Sequence, residues 1–197
     1  MKDVKRKEET LLRIEKIPKQ AIEKGIALIP EDRRKCGLIM NCSIEENIIL
    51  PGLFNIGDFL IRSKIIRKIS QRYVRELDIQ TPHLDRKVKY LSGGNQQKVV
   101  FAKWIFADCE VLVLNEPTRG IDVGAKQQIY KILSKLTKQG KTIILMTSEI
   151  PELINLCDRV LVLRSGSIVK EMSKDEINKE DILRFALSEN QVGTKNE

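Results

Sequence analysis

The tightest constraint on how this chain can fold is a set of short, unbroken apolar runs. They are Ile26-Ala27-Leu28-Ile29, Val111-Leu112-Val113-Leu114 and Thr142-Ile143-Ile144-Leu145-Met146. A strand with one wet face alternates polar and apolar residues, whereas a continuous run asks for cover on both faces, as in a parallel sheet flanked by helices. The intervening sequence supplies the helices. From Arg62 to Asp78 the apolar positions Ile65, Ile66, Ile69, Tyr73, Val74 and Leu77 recur every three or four residues, the spacing of an amphipathic helix. A second helix follows Gly94. A third spans Val123 to Gln139 with a stripe at Ile129, Ile132, Leu133 and Leu136, and Gly140 stops it. A further strand is expected at Val160–Leu163, with Arg164-Ser165-Gly166-Ser167 turning into Ile168-Val169 as a hairpin. Strand, helix, strand, helix, strand after residue 110 predicts an α/β fold with a mostly parallel sheet and right-handed crossovers. The expected divisions are a charged lead-in over 1–20, a helical and basic part over 21–90, an α/β core over 91–172 and a helical tail over 173–197.

Composition narrows the function classes. Residues 1–90 carry 20 Lys and Arg against 13 Asp and Glu, while 91–197 carry 15 against 14. The basic early half suits an anionic partner (nucleotide phosphates, nucleic acid or a lipid surface) or is simply a solvated lysine-rich face. Four cysteines at 36, 42, 109 and 157 form no CxxC pair, and there is a single histidine, His83. That argues against a structural zinc site and against a disulfide scaffold. No apolar run reaches the length of a membrane span. Met1–Lys24 is charged throughout and lacks the apolar stretch of a secretory signal, so a reduced, cytoplasmic setting is expected.

Two segments carry chemistry. Leu91-Ser92-Gly93-Gly94-Asn95-Gln96-Gln97-Lys98 sets two adjacent glycines before a helix. Glycines let the backbone approach a ligand closely, and the free N–H groups and positive dipole of a helix N-terminus favour phosphate oxygens. Ser92 and Asn95 add short donors, and Lys98 a point charge one turn in. The second segment is the run Val111–Leu114, which ends in Asn115-Glu116-Pro117-Thr118. A buried strand that delivers an acidic residue at its C-terminal edge is how nucleotide hydrolases place a magnesium ligand and a general base. Glu116 is the base candidate. Asn115 stands where a carboxylate would hold magnesium, and an uncharged amide holds it less well. Asp122, after Gly120-Ile121, reads either as part of a functional loop or as the cap of the third helix. Arg33, Arg34 and Lys35 are open to phosphates, a subunit interface or plain solvation. Phe101, Trp104, Cys109 and Cys157 read as core.

These segments together resemble the ATP-binding cassette (ABC) family, and within it the second, C-terminal cassette of bacterial simple-sugar importers of the ribose/galactoside type. Leu91–Gln97 matches the signature motif in the LSGGNQQ form of that branch. Val111–Glu116 looks like Walker B, Gly120-Ile121-Asp122 like the D-loop, and Pro30-Glu31-Asp32-Arg33 like the Q-loop. Thr147–Glu152 falls where the switch histidine sits. The order is collinear from Ala21 to Glu171. The departures are informative too. No GxxxxGK[ST] phosphate loop occurs, Asn115 replaces the Walker B aspartate, and Ser148 replaces the switch histidine.

The resemblance implies a partial P-loop NTPase fold with a helical signature subdomain and the first strands of the sheet missing. ATP and Mg2+ are its implied ligands, with Asn115 and Glu31 as weak magnesium candidates. Family cassettes pair head to tail. The implied role is therefore to lend Ser92, Gly93, Gly94, Asn95 and Gln96 to an ATP site held mainly by another cassette, with Asp122 a further nucleotide-binding candidate and Ser148 one in this chain's own weakened site. The Glu31 loop would meet the membrane permease subunits, at the cytoplasmic face of the membrane, with no nucleic acid involved. Two other functions remain open at this stage: a non-catalytic truncated remnant, and a soluble cassette protein acting on ribosomes or nucleic acid.

Overall fold

A computed structural model describes residues 18–51 and 63–187. The chain forms two compact units, divided between Met146 and Thr147. Most of the expected lead-in, the first residue of the expected second-quarter helix at Arg62, and the end of the tail lie outside the described residues.

In the first unit, β2 (Val111–Asn115) lies between β1 (Ile26–Ile29) and β3 (Thr142–Met146), all parallel. Ile26 pairs with Val111 and Val111 with Thr142, so the strands start level, and Asn115 lies opposite Met146 at their ends. Leu112, Val113 and Leu114 are buried in succession, as a strand covered on both faces requires. Around the sheet run α1 (Pro18–Glu23), α2 (Ile44–Ile49), α3 (Ser63–Glu76), α4 (Gly93–Phe106) and α5 (Val123–Lys138). Helix α4 is the hub: Val99, Val100, Phe101 and Ala102 are consecutive and fully buried, which only a helix enclosed on all sides shows. Helix α5 buries its expected stripe, Ile129, Ile132, Leu133 and Leu136. It ends at Gly140, whose φ of +86° suits glycine.

The short helix α2 was not expected from periodicity. A capping box makes it: Ser43 Oγ accepts the amide of Glu46, and the Glu46 carboxylate accepts the amide of Ser43. Asn47, buried, fastens the preceding loop by accepting from the Ile39 amide and donating to the carbonyls of Ile39 and Ser43. The fully buried Ile44 and Ile48 pack α2 onto α4. The early half shares one core with the sheet.

Strand β3 differs from expectation. Its residues alternate in exposure, with Ile144 49% and Met146 42% exposed. Among the described residues β2 is its only strand neighbour, and an edge strand has nothing to cover its outer flank.

The second unit contains α6 (Ile150–Leu156), β4 (Arg159–Arg164), β5 (Ser167–Ser173) and α7 (Lys179–Leu187). The expected hairpin is present as an antiparallel pair, and its two central turn residues, Ser165 and Gly166, both have positive φ. Two-residue hairpins of the primed type need that. Its strand at 159–164 pairs with β5 rather than extending the parallel sheet, and its burial alternates. A small core of Val160, Val162, Met172 and Ile182 gathers Leu153, Cys157 and Phe185 around it. Ile182 anchors α7 in this core. No helix among the described residues is long and apolar enough to cross a membrane.

Candidate functional site

At the C-terminal end of β2 the chain turns through Glu116, a non-glycine residue with φ +47°. Its amide donates to the Met146 carbonyl at 2.8 Å, and its own carbonyl accepts the Arg119 amide at 3.1 Å. A side chain held in the left-handed region costs of order 1 kcal/mol and is tolerated where the surroundings over-determine it. Pro117 and Thr118 are buried behind it. The loop then passes Gly120 (φ +67°) and reaches Asp122, whose Oδ1 accepts the Ala125 amide at 2.9 Å and caps α5. The cap reading of Asp122 is therefore realised.

The start of α4 packs against this loop. Ser92 is the exposed N-cap, with Oγ accepting the Asn95 amide at 3.5 Å and the Asn95 side-chain amide at 3.0 Å. Among the described residues the amides of Gly93 and Gly94 meet no acceptor, as expected of the first turn of a helix. Both glycines also answer to internal fit. A Cβ on Gly93 would come within 2.7 Å of Arg33 Nη2 and 3.4 Å of the Gly120 carbonyl, and one on Gly94 would lie 2.5 Å from Ala125 Cβ.

Several side chains expected to face a ligand are spent inside the protein. Gln96 is fully buried. Its Nε2 donates to the carbonyls of Val88 and Leu91, and its Oε1 accepts from Arg34 Nε at 3.3 Å, so no polar atom is left for a phosphate. Asn95 Oδ1 accepts the Gln80 amide at 2.9 Å. Lys98 is only 2% exposed and donates to the Asp78 carbonyl, with the Asp78 carboxylate 3.8 Å away. Burial pulls its ammonium pKa down and the Asp78 charge opposes that shift. The point charge expected one turn into the helix is thus a buried structural lysine.

Glu31 forms an ion pair with Arg119. Arg33 donates to the carbonyl of Arg119 at 3.0 Å and reaches that of Gly120 at 3.5 Å. Burial lowers the Arg33 pKa, with the neighbouring Arg34 charge adding to the effect. Arg33 is half-buried and Arg34 exposed, and nothing in their local sequence marks them out for these bonds. Their partners lie 86 and 62 residues away.

The first unit therefore brings Glu31, Ser92–Gln96 and Gly120–Asp122 together, with Asn115 and Glu116 at the strand end that opens the same loop. Ser148 lies in the second unit, exposed ahead of α6, where the Glu149 amide donates to Thr147 Oγ1. Of the residues expected to be core, Phe101 and Cys109 are buried, while Trp104 is half-buried with Lys103 Nζ 5.4 Å from its ring centre.

A magnesium ion does not fit this donor set. Glu31 is neutralised by Arg119, Asn115 brings no charge, and no three His, Cys, Asp or Glu side chains cluster among the described residues. Toward magnesium Asn115 offers only an uncharged oxygen, and Glu31 would first have to leave Arg119.

The sequence pattern of the ABC transporter family matches residues 3–119, more than half of the chain. The chain belongs to the ABC transporter family. Among its relatives, the cassette is 45% identical over 173 residues to a ribose import ATP-binding protein of Hahella chejuensis. It is also 45% identical over 170 residues to a xylose import ATP-binding protein of Thermoanaerobacter pseudethanolicus, and 45% over 169 to an L-arabinose transport ATP-binding protein of Geobacillus stearothermophilus. These alignments cover 87%, 86% and 84% of the cassette and 34%, 34% and 33% of the relatives, so it spans about a third of their length. In fold it is similar to a dimeric ATP-binding cassette in a post-hydrolysis state with ADP and phosphate. The TM-score is 0.68 at 21% identity, covering 81% of this chain and 67% of that one. A putative metal-chelate type ABC transporter gives 0.69 at 19%, covering 81% and 62%. The fold is that of a partial ABC cassette.

Proposed function

We propose that this chain is an ATP-binding component of a carbohydrate importer, and that its signature loop completes an ATP site held mainly by a partner cassette. The observation that carries the reading is the start of α4, where an exposed Ser92 and two glycine amides without acceptors stand at the positive end of a helix. Such an end attracts phosphate oxygens. The residues of this chain's own nucleotide site are weak by contrast: the sequence has no GxxxxGK[ST], Asn115 is uncharged and Ser148 stands in the switch position. The relatives named for ribose, xylose and arabinose support the carbohydrate class.

In this reading ATP is the substrate, and water attacks its γ-phosphate in line. Ser92 and the amides of Gly93 and Gly94 hold γ-phosphate oxygens and stabilise the charge that develops there. Glu116 is a base only for this chain's own site. Asp122 orders the loop that lies beside the signature. The Glu31 loop meets permease subunits at the cytoplasmic face of the membrane.

A photo-crosslinker at position 92 tests the role. It should label ATP bound on a companion cassette that carries the phosphate loop. Labelling confined to nucleotide on this same chain overturns the reading, as does micromolar affinity of the isolated chain for Mg-ATP in titration calorimetry. The open β3 edge, with Ile144 and Met146 exposed, favours a second reading, an inactive remnant. Failure of position 92 to label nucleotide on any companion would support that one.

A further inference from the structure

We infer that Arg33 is a positioning residue that locks the signature loop to the loop ahead of α5. The inference deepens the reading above and rests on it for its functional meaning: Ser92–Gly94 face a partner's nucleotide, so whatever sets their position sets that contact.

The geometry is local and specific. The Arg33 guanidinium lies against the first glycine of the signature, close enough that a Cβ there would meet Nη2 at 2.7 Å. From that position its Nη1 and Nη2 reach the carbonyls of Arg119 and Gly120 at 3.0 and 3.5 Å. The next residue, Arg34, donates to Gln96 one turn into α4. Glu31 holds the side chain of Arg119. One short stretch therefore grips both elements, and it grips them twice.

The stretch itself is stiff. It leaves β1 at the fully buried Ile29, and Asp32 accepts the amides of Arg34 and Lys35 at 3.1 Å each. Those bonds, that of Lys35 foremost, hold the Asp32 carboxyl below its ordinary range. The turn continues through Arg33–Gly37, where Lys103 of α4 donates to the Gly37 carbonyl at 3.0 Å. Arginine suits the post because its planar fork spans two carbonyls, whereas a lysine ammonium is a single point on a flexible stem.

The test uses the 197-residue chain labelled with 15N at its 11 glycines, without nucleotide. In Arg33→Lys the amide resonances of Gly93 and Gly120 should both shift, because both lie against the guanidinium that is removed. Gly25, Gly140 and Gly166 should stay in place, which a general loosening of the fold would not allow. Glu31→Gln, a change at an exposed residue, keeps the question open to measurement even if Arg33→Lys does not fold. It releases Arg119, and the lock then requires Gly93 to move together with Gly120. A response of Gly120 alone, or of Gly37 alone, overturns the inference. No nucleotide enters these readouts, so failure of the position-92 labelling leaves the lock standing, and failure here leaves the ATP reading standing.

Discussion

Replacing Gly94 by alanine should open a measurable gap between two helices. The added Cβ would stand 2.5 Å from Ala125 Cβ, whereas two carbon atoms rest at about 3.5–4.0 Å. The start of α4 and the first turn of α5 must therefore separate by about 1 Å, or one side chain must leave its place. Overpacking of this kind costs about 1–3 kcal/mol. Against it stands a gain of at most about 1 kcal/mol from putting alanine for glycine in a helix. The net expectation is a loss of about 1–2 kcal/mol. The structure also says how to relieve it: once Ala125 loses its methyl, the nearest remaining atom is Ala125 Cα at 3.9 Å, an ordinary contact. Ala125→Gly alone should cost about 1 kcal/mol through helix propensity. The double variant, with the overpacking gone and the two propensity changes opposed, should then return close to wild type and be more stable than either single one. Urea unfolding followed by the fluorescence of Trp104, the chain's one tryptophan, which sits on α4, gives the four free energies of the cycle. Simple additivity, with the double variant below wild type by the sum of the two single losses, would refute the reasoning.

Other outcomes follow from the same structure. Asp122→Ala should cost about 1 kcal/mol, the usual worth of an N-cap, while Asp122→Asn retains the cap and melts near wild type; equal losses in both would mean the carboxylate does more than cap. Leu114→Ala in the fully buried centre of β2 should lose about 2–5 kcal/mol against wild type. Thermal melts of the variant and wild type decide it. The Glu46 carboxyl is held below its ordinary pKa by its bonds to Ser43. Its folded pKa lies below its unfolded one, so its stabilisation is fully present above about pH 4.5 and is lost as pH falls through the folded value. Glu46→Gln should therefore unfold earlier than wild type in urea at pH 7, and the gap between the two midpoints should narrow as the pH is lowered from 4.5 toward 3. An unchanged gap at pH 3 would contradict the capping box.

The elements that were legible in the sequence are those whose signal is periodic or chemically forced. The stripe Ile129–Leu136 marks α5 because burial of one face repeats along it, and Ser165-Gly166 marks the hairpin because few residues tolerate its backbone. The capping box at Ser43–Glu46 was equally present in the letters, but α2 is too short for periodicity to draw attention to it. The chemical site was legible in its position along the chain and less so in its side chains. Gln96 and Lys98 sit within a motif that looks made for phosphate, yet their polar atoms are claimed by Val88, Leu91, Arg34 and Asp78. No local pattern encodes such distant partners. Arg33 was one of three adjacent basic residues until its partners across the loop were seen. In β3 the apolar run reports what the strand is made of and carries no record of whether a neighbour lies beyond it.

The two glycines at the head of α4 have a practical consequence for anyone who would borrow this motif. Because Gly93 accommodates a guanidinium and Gly94 a methyl from elsewhere in the fold, the seven letters Leu91–Gln97 are not a portable cartridge. Grafted onto a scaffold without counterparts of Arg33 and Ala125, they would leave two unfilled notches and a helix end free to wander. A transplant must carry its sockets with it.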